Sequence, residues 1–253
     1  MRSTIKYFIS IALLLTYADG HSQNRTEPKK PAQGKAPATG EKPAPKKPVK
    51  PPKDFTPTGI RVGTDLIDLG KSFSGKTFHG WEVNGDIDFA NYYLTADIGS
   101  WSRNLVLPNG DYSNGGNYFR IGADINLLGK DPDKNMLFFG FRYGRSFFHE
   151  SLNYQDTTSY KIFGTANRNE TNSNVTGGWG ELTTGLRVKV WKGLWMGYTA
   201  RLKIAPGTKG NSASLSPYDM PGYGPVSSKP WWGFNYQLFW RFAWKKDKPL
   251  PKK

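Results

Sequence analysis

The 253-residue chain has no cysteine. That excludes a lipidated N-terminal cysteine, a disulfide frame and a thiolate metal site. Histidine is almost as scarce, at His21, His79 and His149. No metal-ligand spacing occurs, so neither a metal nor another cofactor is expected. The apolar run FISIALLLTY, residues 8–17, is too short to span a bilayer as a helix, which needs about 20 residues. No helical stripe of apolar residues follows it.

The ends of the chain are unlike its middle. Arg2 and Lys6, the apolar run and the small residues of ADGHSQ together predict a signal peptide over 1–22, hence export. Residues 23–58 hold nine of the 18 prolines, with nine Lys/Arg against three Asp/Glu. That composition predicts an extended Lys/Pro-rich linker without a core of its own. The tail, 245–253, adds five lysines against one aspartate.

The formal charge of +15 therefore misleads. Leader, linker and tail hold 16 of the 35 Lys/Arg and 5 of the 20 Asp/Glu, which leaves +4 for residues 59–244. The excess charge sits outside the folded region, so nucleic acid is not expected as a partner. The linker is instead a soluble spacer or a polycation for an anionic partner, such as a cell-wall polymer, an envelope protein or lipid head groups.

Between 59 and 244, period-two alternation dominates. It predicts eight strands, at 59–67, 79–89, 92–101, 117–127, 136–147, 179–190, 194–204 and 232–244. Each has roughly the 9 to 11 residues of a tilted membrane-spanning strand. All seven prolines of this region fall between the strands, as the missing N–H of proline requires. Longer and shorter connections alternate, with long loops expected at 102–116, 148–178 and 205–231. The pattern predicts an all-β, eight-stranded antiparallel up-and-down transmembrane β-barrel with both termini in the periplasm.

One face of the strands is apolar; the other is Gly, Asn, Thr and charge. A soluble barrel would place the apolar face inside, and an outer-membrane barrel would place it outside. Alternation does not distinguish the two. The aromatics near strand ends do favour the membrane form, if Tyr92, Tyr93, Trp101, Tyr118, Trp179, Trp195, Trp231, Trp232 and Trp244 are interfacial girdles. In GFNYQLFWRFAW, 233–244, the outward set is then Phe234, Tyr236, Leu238, Trp240, Phe242 and Trp244, with Arg241 inward.

Eight strands leave an interior that side chains fill, so a wide pore is excluded. The inward acids are Asp65, Glu82, Asp86, Asp88, Asp97, Asp124 and Glu181. The inward bases are Arg61, Arg120, Arg142, Arg187, Lys189, Arg201, Lys203 and Arg241. Six of the acids lie on the first four strands and six of the bases on the last four. Closing the sheet brings the halves together, which predicts a lumen cross-linked by ion pairs, the alternative being a charged relay or ligand site.

A catalytic reading rests on FFHESLNY, 147–154, where His149 and Ser151 fall on one side of an extended segment. This resembles the His-x-Ser pattern of outer-membrane lipid A deacylases, with Asp156, Glu170 and Glu181 as available acids. The chain departs from that family's pattern after the serine, where Leu152 replaces an asparagine. Asn169 and Asn174 begin Asn-x-Thr triplets, which matter only in a eukaryotic secretory setting.

Across 59–244, RVGTDLIDL, DFANYYLTADIG, YFRIGADINLL, FFGFRYGRSFF, GWGELTTGLRVKVW and WWGFNYQLFWRFAW resemble an uncharacterised outer-membrane β-barrel family of Bacteroidetes. The resemblance implies a fold and a place in a Gram-negative outer membrane, and it implies no activity. The expectation is a monomeric, non-catalytic barrel among outer-membrane lipids, with a structural or interaction role in envelope assembly or export. The alternatives are a lipid-modifying enzyme using His149 and Ser151, and a narrow conduit.

Overall fold

The computed structural model describes residues 55–128, 131, 133–157, 164–210, 212, 215–227 and 229–244. The expected signal peptide, most of the linker and the basic tail lie outside the described residues.

Eight long strands form one antiparallel ring. They are β1 (Gly59–Asp65), β2 (Phe78–Phe89), β3 (Tyr92–Leu107), β4 (Gly110–Asn126), β5 (Met136–Thr157), β6 (Thr165–Trp191), β7 (Leu194–Lys209) and, after a two-stranded excursion, β10 (Trp231–Ala243). Each pairs with its neighbours along the chain, and β1 pairs with β10, so the ring closes. The excursion is β8 (Asp219–Met220) with β9 (Gly224–Pro225).

Five strands run past their expected ends. β5 and β6 continue together to the Thr157–Thr165 pair, and β3 and β4 to Leu107–Gly110. The long loops expected at 102–116 and 148–178 are therefore mostly sheet. Their mostly polar composition hides the alternation, because Tyr112, Phe148 and Val175 are too sparse to mark an apolar face.

The second correction is a helix. Residues 66–67 leave the sheet and begin α1 (Leu66–Ser74). Asp65 caps it, accepting from the Ile67 N–H at 2.8 Å. β1 therefore stops at the Asp65–Gln237 pair, and β10 residues 231–236 pair with β7 alone. Likewise β2 meets β1 only from Val83 to Ile87. The ring is complete at its terminal end and short of a strand segment at the other. Helix α1 lies in this gap, in contact with both β2 and β10. Ser72 takes over for the missing strand: its hydroxyl accepts from the Gly80 N–H at 2.6 Å and lies 2.7 Å from the Gly80 carbonyl oxygen.

The side chains sort with the charge inward. Glu82, Asp97, Asp124, Arg142, Glu181, Arg187 and Arg201 are all buried. Val62, Val83, Ile98, Ile121, Phe139, Phe141, Leu186 and Tyr198 are exposed on the outer face. This is the inverse of a water-soluble core. In β10, Phe234, Tyr236, Trp240 and Phe242 face outward and Arg241 faces in.

The expected aromatic girdle divides. Tyr92, Trp232 and Trp244 are exposed, whereas Tyr93, Trp101, Tyr118, Trp179 and Trp195 are buried inside the ring, and Trp231 is half-buried. Position near a strand end does not fix the face; parity with the inward acids does, as Tyr93 and Trp101 share the parity of Asp97.

Candidate functional site

The interior is layered along the ring's axis. At the terminal rim, Asp88 accepts from the backbone N–H groups of Thr58 (2.7 Å) and Gly59 (2.8 Å). Lys134 and Arg241 pair with the same carboxylate at 3.0 and 3.2 Å. Phe55 stacks on Tyr92, and the Trp244 indole donates to the Pro57 carbonyl. Both ends of the ring's chain are thus pinned at one rim.

Above this lies an apolar floor of Tyr93, Met136, Phe138, Trp195 and Phe239, all buried. The guanidinium of Arg61 covers Tyr93, and that of Arg187 covers Phe138 and Phe239.

Next comes one continuous ion-pair network of five arginines and five carboxylates. Arg61 meets Asp86 at 2.8 Å, and Asp86 also binds Arg187. Arg187 lies 3.8 Å from Asp124, which pairs with Arg142 at 3.1 Å. Arg142 reaches Asp97 at 2.6 Å, and Asp97 also faces Arg120 at 3.2 Å and Arg201 at 3.4 Å. Glu82, bound by Arg120, and Glu181, 3.0 Å from Arg201, complete it. Neutral donors take remaining lone pairs: Tyr118 and Asn84 donate to Glu82, and Trp179 donates to Glu181 at 2.7 Å. Equal numbers of opposite charges, all but Arg61 with more than one partner of opposite sign, are what make full desolvation tolerable.

The sequence expectation of paired inward charge holds for this network, with one correction. Lys189 is exposed and pairs with Asp133 at 3.1 Å, because the outermost turn of β6 lies beyond the layer its parity suggests. Asp65 caps α1 and binds Asn235.

The mouth is capped. Phe78, Trp101, Tyr118, Phe148, Val175, Trp179, Met220 and Tyr223 form a buried cluster above the charges. Met220 and Tyr223 come from the β8–β9 hairpin, which folds inward. Gly222 and Gly224 have φ of 81° and 106°, which suit glycine. A Cβ at Gly222 would also strike the Tyr118 ring. Lys203 donates to the carbonyls of Gly222 (2.8 Å) and Tyr223 (2.7 Å). Asp219 is held by Arg103 at 3.2 Å and by the Asn114 amide. Tyr112 donates to Glu150 at 2.9 Å in the same layer.

Asp68, Arg103, Asn114, Glu150 and Asp219 were not singled out from the sequence. Most lie in stretches that read as loop or, for Asp68, in the unrecognised helix. The Asp65-x-x-Asp68 start of α1 was the one usable signal.

His149 and Ser151 do share the outer face of β5, where alternation exposes His149 and buries Phe148 and Glu150. The three acids do not join them. Glu181 is sealed in the lumen beside Arg201. Asp156 has the inward parity of Phe148 and Glu150 and pairs with Arg168 at 3.6 Å. Glu170 sits opposite Leu152, so it too is on the other face from Ser151. Among the described residues no group of three His, Cys, Asp or Glu side chains could hold a metal.

A family model described as Domain of unknown function (DUF6048) matches residues 4–246. The chain belongs to that family. A search of curated proteins returned no match. The family match covers the ring, the network and the capped mouth together, so these features belong to one family domain. No helix among the described residues is long and apolar enough to cross a membrane, which has no bearing on crossing by strands.

Proposed function

We propose that the protein is a non-catalytic outer-membrane β-barrel of a Gram-negative bacterium, with a structural or interaction role in the envelope. The carrying observation is the inverted polarity of a closed eight-stranded ring. Its interior holds a neutral charge network, and its exterior is a belt of Leu, Ile, Val, Phe and aromatic residues. A belt of that size in water would be an aggregation surface; against acyl chains it is the expected surface of a spanning barrel. Ring closure through the β1–β10 pairing supports the same reading, since a spanning sheet needs its edges paired or covered, and α1 stands where β10 residues 231–236 lack a β1 partner.

In this reading both termini face the periplasm, and the capped mouth with the extended β3–β4 and β5–β6 hairpins faces outward. The filled lumen argues for a rigid post rather than a porin. The basic residues of the linker are the part of the chain suited to an anionic cell-wall or envelope partner. Bound lipids surround the belt, and one chain suffices to close the ring.

Fractionation of cells tests the location. The expected result is recovery in the outer membrane, resistance to alkaline carbonate, and a gel mobility that shifts on heating. Recovery in a soluble periplasmic fraction would overturn it. Affinity capture with the full chain from solubilised membranes then tests the interaction role, with loss of the partner on charge-neutralising the linker lysines as the expected outcome.

A further inference from the structure

The wall of the ring is open at one place, and the opening leads to a cavity of about 460 Å³. Its lining includes Trp232 and Phe234, which face outward, and Tyr118, Arg120 and Lys203, which face inward. Residues from both faces of one sheet can line a single cavity only where the sheet is interrupted. The interruption is the stretch where β10 residues 231–236 have no β1 partner and α1 stands instead.

The chemistry of this cavity is two-sided. Its outer lip is aromatic and continuous with the apolar belt, and Phe73 of α1 is 88 % exposed at the same level of the wall. Its inner end is cationic. Arg103, Arg120 and Lys203 line it, against Asp68 and Glu82, while Lys71 is on the lining but largely exposed.

Arg120 is committed to the ion-pair network, and Arg103 and Lys71 have carboxylates of their own. Lys203 differs. It is buried, its ammonium meets two carbonyl oxygens, and among the described residues it forms no ion pair. An ammonium has three donors; two meet carbonyls, and the third has no oxygen acceptor among the described residues, with the Trp231 ring 4.7 Å from the ammonium. Trp101, on the same lining, has a buried indole N–H with no protein acceptor. A buried cation without an ion pair and an unpaired buried donor both favour an anionic oxygen.

We infer that the gap between α1 and β10 is a lateral binding site for an anionic lipid of the surrounding leaflet. The phosphate-bearing headgroup reaches inward to Lys203 and Trp101, and an acyl chain lies outside along Trp232 and Phe234. Helix α1 forms one jamb. Held to β2 through Ser72 and Gly80 and to β10 through Asp65 and Asn235, it narrows the gap without sealing it as a strand would. The inference rests on the membrane reading, since the ligand enters from the bilayer.

The test uses the full chain in nanodiscs of equimolar phosphatidylglycerol and phosphatidylcholine, with native mass spectrometry of the released protein. The expected result is one retained phosphatidylglycerol, favoured over phosphatidylcholine by about tenfold. Lys203→Gln should bring the ratio near one, and Trp232→Ala with Phe234→Ala, both at exposed positions, should lower retention of either lipid. Wild-type protein that retains no lipid, or both in proportion, overturns the site without reference to any variant. A chain that will not enter nanodiscs but stays folded in buffer overturns the membrane reading, and this inference falls with it.

Discussion

Arg201 on β7 stands 3.4 Å from Asp97 on β3, 104 positions earlier in the chain. In the ring order these two strands are four places apart in either direction, so the pair spans the lumen between opposite walls. Arg187 on β6 does the same with Asp86 on β2. Such contacts form only once the ring has closed, so the network and closure are mutually dependent.

That dependence has a measurable cost. Arg142→Met would leave Asp97 and Asp124 short of a partner inside a sealed lumen. The expected loss is about 3–5 kcal/mol, the usual result of removing one side of a buried pair. Lys189→Met, at the exposed pair with Asp133, should change stability by less than about 1 kcal/mol. Urea titration of the folded band on unheated gels compares the two. Equal effects would contradict the layering.

The Ser72 hydroxyl stands within hydrogen-bond distance of both backbone groups of Gly80 and of the Asp68 carbonyl. Ser72→Ala should cost about 1–3 kcal/mol, the penalty for orphaned buried polar groups. Hydrogen exchange at the Gly80 amide should accelerate while exchange in β4 and β5 does not. Unchanged exchange at Gly80 would mean that α1 does not substitute for the missing strand segment.

The capped mouth should respond to pH through Asp219. Burial raises its carboxyl pKa above the ordinary value, against the lowering pull of Arg103, Asn114 and Lys203. A folded value above the unfolded one means that Asp219 contributes fully at pH below the unfolded pKa. That contribution declines as pH rises through the folded value. Proteolysis within 210–230 should therefore quicken as pH climbs from about 4 toward neutrality, and Asp219→Asn should flatten the profile. A rate that falls with rising pH would contradict the sign.

His149→Ala with Ser151→Ala should leave the acylation pattern of outer-membrane lipids unchanged, since none of Asp156, Glu170 and Glu181 shares their face of the sheet. Mass spectrometry of extracted lipid A decides it. A changed pattern would restore the hydrolase reading.

Much of the ring was legible because one of its faces is apolar. The strand cores at 79–89, 92–101, 117–127 and 136–147 alternate cleanly, and their inward acids and arginines were assigned by parity alone. Legibility stops where that contrast stops. TANRNETNSNVTGG is polar apart from a few residues, so β6 before Gly178 reads as loop although it pairs with β5 on both sides of a bulge at Ser173 and Asn174. Helix α1 is short and carries Gly70, so its stripe of Leu66, Ile67, Leu69 and Phe73 is weak beside the strand signal. The lateral gap was not legible at all, because it depends on register between β1 and β10, 170 residues apart in the Asp65–Asn235 contact. Of the lateral site, Lys203 was read as an inward base, while its lack of a carboxylate partner required the fold.

The central claim is that the exposed apolar belt meets lipid, and the absence of cysteine makes it directly testable. Single cysteines at Ile121, Phe141, Leu186 and Tyr198, and at Asn109 on the β3–β4 turn, are each labelled with an environment-sensitive fluorophore in reconstituted full-length protein. The account predicts blue-shifted emission, quenched by nitroxide-bearing acyl chains, at the four belt positions, and water-like, unquenched emission at Asn109. Water-like emission at Phe141 and Ile121 in folded protein would contradict it.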